Sequence, residues 1–263
     1  AEMALVWLKD LRLNAVVEGP ADGPPVVLIH ALGTDLTIWD GVVAALPRHR
    51  ILRFDLRGHG SSDVPPAPYA MGALIRDAEQ LIDHFALREA VVVGLSIGGL
   101  IAQGLAVKRM DLVRGLVLSN TAARIGTAAQ WQDRIAAVQA GGLAALAEGN
   151  LERWFGRNWR AAPEMPRIRA LFEATAPEGW MGCAAAIAGC DFYETTATLR
   201  LPTLAIAGAN DGSTPPDLVR ETAALIPGHR FRLMRGAGHL PPVEKPAEYA
   251  AVLQEFLHDI GHG

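Results

Sequence analysis

Three widely spaced side chains have the types that acyl transfer requires: Ser96 in "GLSIGG", Asp211 in "GANDGSTPP" and His239 in "GAGHLPPVE". A serine hydroxyl is a weak nucleophile near neutral pH, so it needs a base to take its proton and an acid to orient that base. Gly94, Ser96 and Gly98 spell G-x-S-x-G between a valine run and a helix-forming segment. This fits a sharp strand-to-helix turn that projects the hydroxyl and leaves no space for side chains beside it. Gly99 adds room for the helix to pack close to the strand. The alternative is a glycine-rich turn capped by a serine, with no chemistry attached. Downstream, Asp211 and His239 each follow a strand-like run, and Ser, then acid, then His is one of the chain orders in which such a constellation occurs. His59 in "RGHGSSD" is a rival base, but it precedes the serine and sits in a glycine-rich turn. Asp191 and Asp217 are rival acids that do not directly follow a buried strand, and Asn120, which does, offers no carboxylate.

Charge developing on a carbonyl oxygen needs preorganised donors. The backbone N–H of Ile97, at the start of the helix, supplies one. The loop "LIHALGTD" after the first parallel strand places the N–H of Leu32 as the other, and His30 beside it reads as a residue that hydrogen-bonds the loop.

The elements that must hold these groups are legible as an alternation. "PPVVLIH", "RILRFD", "AVVVG", "RGLVLSN", "PTLAIAG" and "HRFRLMRG" read as buried strands ending at turn residues, with amphipathic segments between them. That pattern implies a parallel sheet covered by helices on both faces. Ahead of it, "LVWLKDLRLNAVVEG" reads as two antiparallel strands joined by a tight turn at Lys9 and Asp10, giving eight strands in all. Residues 122–196 break the alternation: helix follows helix with no convincing strand, and four of the six tryptophans lie there. This is too long for an ordinary crossover and reads as an inserted helical cap over the ligand edge of the sheet, with 1–121 and 197–263 as the core.

One cap residue stands out. In "AAQWQDRIAAVQA", Trp131, Arg134, Ile135 and Val138 fall on one helical face, so an arginine occupies the apolar stripe. Its helical neighbours Gln130, Trp131, Ala137 and Val138 include no acid, whereas Arg160 and Arg169 each have a glutamate four residues on. The position implies an anionic ligand or, equally, a head group that snorkels to solvent or pairs with a distant acid.

Composition narrows the partners. Half of the 263 residues are apolar, ample for a buried core, and 24 Lys plus Arg against 28 Asp plus Glu give no electrostatic reason to bind nucleic acid or an anionic membrane. No apolar run reaches the ~18 residues of a membrane span. The segment "AEMALVWLKD" lacks the basic region and cleavage pattern of a signal peptide, and cytoplasm is the expected location. Cys183 and Cys190 in "CAAAIAGC" lie two helical turns apart, roughly 10 Å, too far for a bridge. No metal-ligand cluster is visible, and neither metal nor organic cofactor is expected.

Together "DLRGHGSSD", "GLSIGG", "GANDGSTPP" and "GAGHLPPVEKP" resemble the α/β-hydrolase superfamily from end to end. Within it, "LGTDLTIWD", "SNTAARIG" and "WQDRI" are most similar to the 3-oxoadipate enol-lactonases of aromatic-compound degradation. His30–Ala31 in place of Asn-Ser, and "LPPVE" after His239 where Ser-Asn is frequent, depart from that family and leave the exact lactone open. The resemblance implies the α/β-hydrolase fold, a small lactone or ester as the partner, and a carboxymethyl group on the substrate that Arg134 would hold while Trp131 and Trp154 cover the ring. A general carboxylesterase or another lactonase would share the same catalytic residues, perhydrolase or haloperoxidase activity could accompany them, and a receptor of this fold without turnover is the reading from a different class.

Overall fold

Residues 3–263 are described by a computed structural model. Its strands are β1 (Met3–Trp7), β2 (Arg12–Glu18), β3 (Pro25–Ile29), β4 (Arg50–Phe54), β5 (Ala90–Leu95), β6 (Val113–Ser119), β7 (Thr203–Gly208) and β8 (Arg230–Met234). Among the described residues they form one eight-stranded sheet in the order β1-β2-β4-β3-β5-β6-β7-β8. β1 and β2 are antiparallel and joined at the expected turn, where the Leu8 N–H donates to the Leu11 carbonyl at 2.8 Å. β2 pairs antiparallel with β4, and the remaining pairs are parallel.

Successive side chains of a strand point to opposite faces. All six residues of β5 and of β7 are buried, so both faces of the sheet are covered, which is why these strands read as continuous apolar runs. β8 instead alternates, with Arg230 and Arg232 turned outward to Asp259 and Glu255, as an edge strand requires. Helices Met71–His84, Ile97–Lys108, Pro216–Ala223 and Pro246–Asp259 supply the layers.

Register decides where the site lies. Ile29 is opposite Gly94, Leu95 opposite Ser119, Ser119 opposite Ile206, and Gly208 opposite Met234. The C-terminal ends of β3, β5, β6, β7 and β8 therefore share one edge, and the loops that follow them converge there. Between β6 and β7 the described chain has no strand and folds into helices Ala128–Gly141, Ala144–Phe155, Met165–Ala174 and Pro177–Ala188, with short helical turns between and after them. Thr127 opens the first with a capping box: its hydroxyl accepts from the Gln130 N–H at 3.2 Å, and the Gln130 amide oxygen accepts from the Thr127 N–H at 3.0 Å. Cys183 lies within the last of these helices and Cys190 just past its end; both are free and buried, and burial pushes the Cys190 thiol up to about 12. Among the described residues no helix is long and apolar enough to cross a membrane.

Candidate active site

β5 ends at Leu95 and the next helix begins at Ile97, so Ser96 makes the whole turn at φ 59°, ψ −117°. A non-glycine residue held there stores roughly 1–3 kcal/mol of strain, and its surroundings must impose it. The Ser96 N–H donates to the Ser119 carbonyl at 3.0 Å, and the Thr121 hydroxyl donates to the Ser96 carbonyl at 2.6 Å. The glycines are explained by what replaces their side chains: a Cβ on Gly94 would run into the Gly98 carbonyl, one on Gly98 into the Ile29 carbonyl, and one on Gly99 into the Thr121 side chain. The Ser96 hydroxyl itself makes no hydrogen bond among the described residues and opens into a cavity of about 300 Å³.

Asp211 and His239 follow β7 and β8 and meet at that edge. The His239 Nδ1–H donates to Asp211 Oδ2 at 2.8 Å, with both side chains almost wholly buried. This fixes the tautomer that leaves Nε2 bare, and His239 lines the same cavity as Ser96. Asp211 Oδ1 accepts from the Ser213 and Thr214 amides at 2.8 and 3.1 Å; Oδ2 also accepts from the Thr214 hydroxyl at 2.8 Å and Asn120 Nδ2 at 3.2 Å. Burial works against its charge, but the His239 imidazole and the Thr214 donors hold the carboxyl below the usual carboxylate range. The arrangement can take a proton from a hydroxyl at Ser96 and keep the resulting imidazolium beside a fixed anion.

Leu32 lines the cavity, and Ile97 is the first residue of the helix. Neither backbone N–H donates a hydrogen bond among the described residues, which leaves both available to an oxyanion. The Leu32 loop is pinned by two histidines. His30 donates from Nδ1 to the Ala31 carbonyl at 2.8 Å and accepts from the Leu56 N–H at Nε2 at 2.9 Å. His59 accepts from the Gly33 N–H at 3.0 Å through Nε2, while Nδ1 lies 3.2 Å from the Arg57 carbonyl. Burial lowers both pKa values, that of His59 to about 3 with His30 as the second cause. His59 is thus a neutral brace for the loop rather than a base beside Ser96. Asp191 is exposed and caps a turn at Tyr193, and Asp217 is exposed in the first turn of its helix, so neither rival acid reaches the site.

Helices between β6 and β7 contribute to the cavity wall. Trp131, Arg134, Asn150, Arg153, Trp154 and Trp180 line it together with the strand-end residues. The Trp131 indole N–H donates to the Ile125 carbonyl at 2.7 Å, and Arg134 lies over the Trp131 ring, 4.6 Å from its centroid. Arg134 has no carboxylate partner among the described residues; burial, then the charge of Arg153, brings its pKa down to about 10. By contrast Arg169 pairs with Glu173 at 3.1 Å. Arg160 departs from expectation, stacking on Trp159 at 4.2 Å, with no ion pair to Glu164 among the described residues, because the chain there is a short 3-10 turn rather than an α-helix. The Trp154 ring stacks on the His239 ring with centroids 5.6 Å apart, and its carbonyl accepts from the His239 N–H at 2.8 Å. One residue earlier, the Arg153 carbonyl accepts from the Gly212 N–H at 2.8 Å. The C-terminal carbonyls of this helix, which lack intrahelical partners, thereby tie the cap to both the acid and the base loops.

Four contributors are not apparent from the sequence alone. Asn120, held at φ 48°, donates to Asp211 and to the Gly238 carbonyl at 3.0 Å, joining the two loops. The Glu244 carboxylate in "LPPVE" accepts from the Gly238 N–H at 2.9 Å, next to His239, and burial pushes its pKa up to about 7 against that amide. Arg153 and Asn150 enter the cavity from the second cap helix.

A family model described as "alpha/beta hydrolase fold" matches residues 24–246. The chain is 31% identical over 257 residues to 3-oxoadipate enol-lactonase 2 of Acinetobacter baylyi, covering 94% of this chain and 95% of that protein. The crystal structure of the enol-lactonase from Burkholderia xenovorans LB400 is 33% identical with a TM-score of 0.92, covering 97% of this chain and all of that one. A thermophilic esterase from Thermogutta terrifontis, solved with malate bound, is 30% identical with a TM-score of 0.90 over 99% of both chains. A family match across most of the chain, on this sheet order and with a serine at this turn, makes the protein a member of the alpha/beta hydrolase fold family.

Proposed function

We propose that this protein is a serine hydrolase that opens a small carboxylated enol-lactone, 3-oxoadipate enol-lactone to 3-oxoadipate, through an acyl-enzyme. One observation carries the choice of substrate: Arg134 lines the cavity that holds Ser96 and His239, and no protein carboxylate answers it among the described residues. A carboxylate on the lactone would occupy that position in a two-pronged guanidinium contact. The enol-lactonases at 31% and 33% identity support the reading, and malate, the ligand of the related esterase, is itself a small carboxylic acid.

In this reading Ser96 attacks the lactone carbonyl as His239 Nε2 takes its proton, and the N–H groups of Leu32 and Ile97 receive the oxyanion. Asp211 holds the imidazole in place and stabilises its charged form. Collapse expels the ring oxygen as an enolate, which is protonated and becomes a ketone; that removes the nucleophile that would reclose the ring. Water activated by His239 then releases the diacid. Trp131 and Trp154 cover the ring, and residues 122–196 act as a cap on a core of 1–121 and 197–263.

Steady-state rates on enol-lactones, saturated lactones and neutral aryl esters test the assignment. The expected ranking puts the carboxylated enol-lactone first, and Arg134→Met should lower kcat/KM for it by roughly 1.5 to 3 kcal/mol more than for a neutral aryl ester. The departures at His30–Ala31 and "LPPVE" favour a second reading, a general carboxylesterase; aryl esters turned over as well as the lactone, with equal losses in Arg134→Met, would select it.

A further inference from the structure

The cavity contains more positive charge than one carboxylate explains. Arg153 enters it from helix Ala144–Phe155, as Arg134 does from helix Ala128–Gly141, and like Arg134 it has no ion pair or hydrogen bond to its head group among the described residues. Its Nε is buried without an acceptor, and so is the amide nitrogen of Asn150, one turn earlier on the same helix and in the same lining. A Cβ at Gly149 would lie 3.5 Å from Arg153 Nη1, so the guanidinium folds back along its own helix by one turn. Buried donors without acceptors cost stability unless something else supplies the acceptor.

We infer that Arg153 and Asn150 form a second anion-binding group, so that the cavity recognises small aliphatic dicarboxylates, with Arg134 on one carboxylate and Arg153 with Asn150 on the other. The inference rests on the proposed hydrolysis of a carboxylated lactone, and it adds where the new charge goes. The lactone carries one carboxylate. Ring opening consumes one water and makes a second carboxylate at the carbon that Ser96 attacked, while the ring oxygen leaves as the enol and becomes a ketone. Two cations then face two anions. Arg153 lines the same cavity as Ser96 and His239, and the end of its helix is joined to both loops, its own carbonyl bonded to Gly212 and its neighbour Trp154 stacked on His239. A cavity of about 300 Å³ is at the small end for ligand sites, so both ends of a short diacid fall within one lining.

The test is inhibition of neutral aryl-ester hydrolysis by adipate and by hexanoate, which share six carbons and differ in one carboxylate, each Ki being referred to that variant's own uninhibited rate. The wild type should bind adipate the more tightly. Arg153→Met should raise the adipate Ki about tenfold, the scale of one hydrogen bond to a charged group, and leave the hexanoate Ki within about twofold. Asn150→Leu should shift the adipate Ki in the same direction by less, and it provides the test if Arg153→Met does not fold. Equal weakening of both acids would place both arginines on a single carboxylate and overturn the inference, as would no change in either, or no inhibition by adipate. Arg134→Met separates this from the proposed function: loss of hexanoate binding there supports the Arg134 contact whatever Arg153 does, and its absence removes that contact alone.

Discussion

Two sides of one cavity treat their charged side chains in opposite ways. On the strand side, Asp211 is filled by donors from Asn120, Ser213, Thr214 and His239, and His30 and His59 each accept a loop amide. On the cap side, Arg134, Arg153 and Asn150 present nitrogens that no protein acceptor meets among the described residues. Under the proposed function, the difference follows from what each side must do. Groups that act on a developing charge work best when already fixed, so that nothing reorganises during the reaction. Groups that recognise a ligand must keep their valence open until it arrives, and the fold carries that cost in the empty state.

The strand side predicts the largest losses. Ser96→Ala should lower kcat by several orders of magnitude while thermal unfolding stays close to wild type, because alanine keeps the same Cβ in the turn and the lost hydroxyl makes no hydrogen bond among the described residues. Retention of more than about a tenth of the rate would remove Ser96 as nucleophile, given that groups acting as a unit lose up to ~10⁶ together. Asp211→Asn keeps the shape but turns an acceptor of the His239 N–H into an amide that can favour the wrong tautomer; a fall of about 10⁴ in kcat is expected, with KM little changed.

Much of the strand side was legible in the sequence because its constraints are local. Gly94, Gly98 and Gly99 mark a turn whose sterics allow little else, and the valine run of β5 names its burial. What escaped depends on contacts between distant segments. Asn120 offers no carboxylate, yet it donates across to Asp211 and Gly238, a juxtaposition set by the pairing of β6 with β7. Trp154 stacking on His239 likewise needs the cap folded onto the core. Arg153 is different: the neighbours three and four residues away are Gly149, Asn150, Gly156 and Arg157, with no acid among them, but none of them is a large apolar residue and Glu152 stands beside it, so only half of the reasoning that singled out Arg134 applies to it. It lay outside the apolar stripe of the first cap helix, and only the cavity brings the two together.

An intermediate effect sharpens the comparison through pH. His59 is held to about 3 in the fold against 6.5 when unperturbed, chiefly by burial. Above pH ~6.5 both folded and unfolded chains leave it neutral; as pH falls toward ~3 the unfolded chain takes up a proton that the fold refuses, and stability is lost. Glu244 runs the other way, since its folded value of about 7 lies above the unperturbed 4.5 and its ionisation opposes folding as pH rises between the two. The wild-type curve sums these, so the informative quantity is the stability gap between wild type and His59→Gln, measured by urea unfolding. It should narrow by about 2 kcal/mol between pH 7.5 and 5. A constant gap would mean that His59 takes up its proton as easily in the fold as outside it.

The smallest effect is the one whose sign separates the two sides. Removing a strand-side acceptor should destabilise: His30→Leu leaves the Leu56 N–H buried and unpaired, a cost of roughly 1–3 kcal/mol. Removing a cap-side cation should do the reverse in the ligand-free protein. Arg134 is depressed to about 10 by burial and by Arg153, which means the fold disfavours its charge. Each pKa unit corresponds to ~1.4 kcal/mol, but the head group is only part-buried and solvent screens much of that. The stacking on Trp131 returns a further ~0.5–1 kcal/mol that methionine would forgo in part. The balance is a gain of about 1 kcal/mol for Arg134→Met, read as a higher urea midpoint at unchanged m-value. Unchanged or lower stability would mean that the guanidinium already satisfies itself by snorkelling to water, and the open valence on the cap side would then need no ligand to explain it.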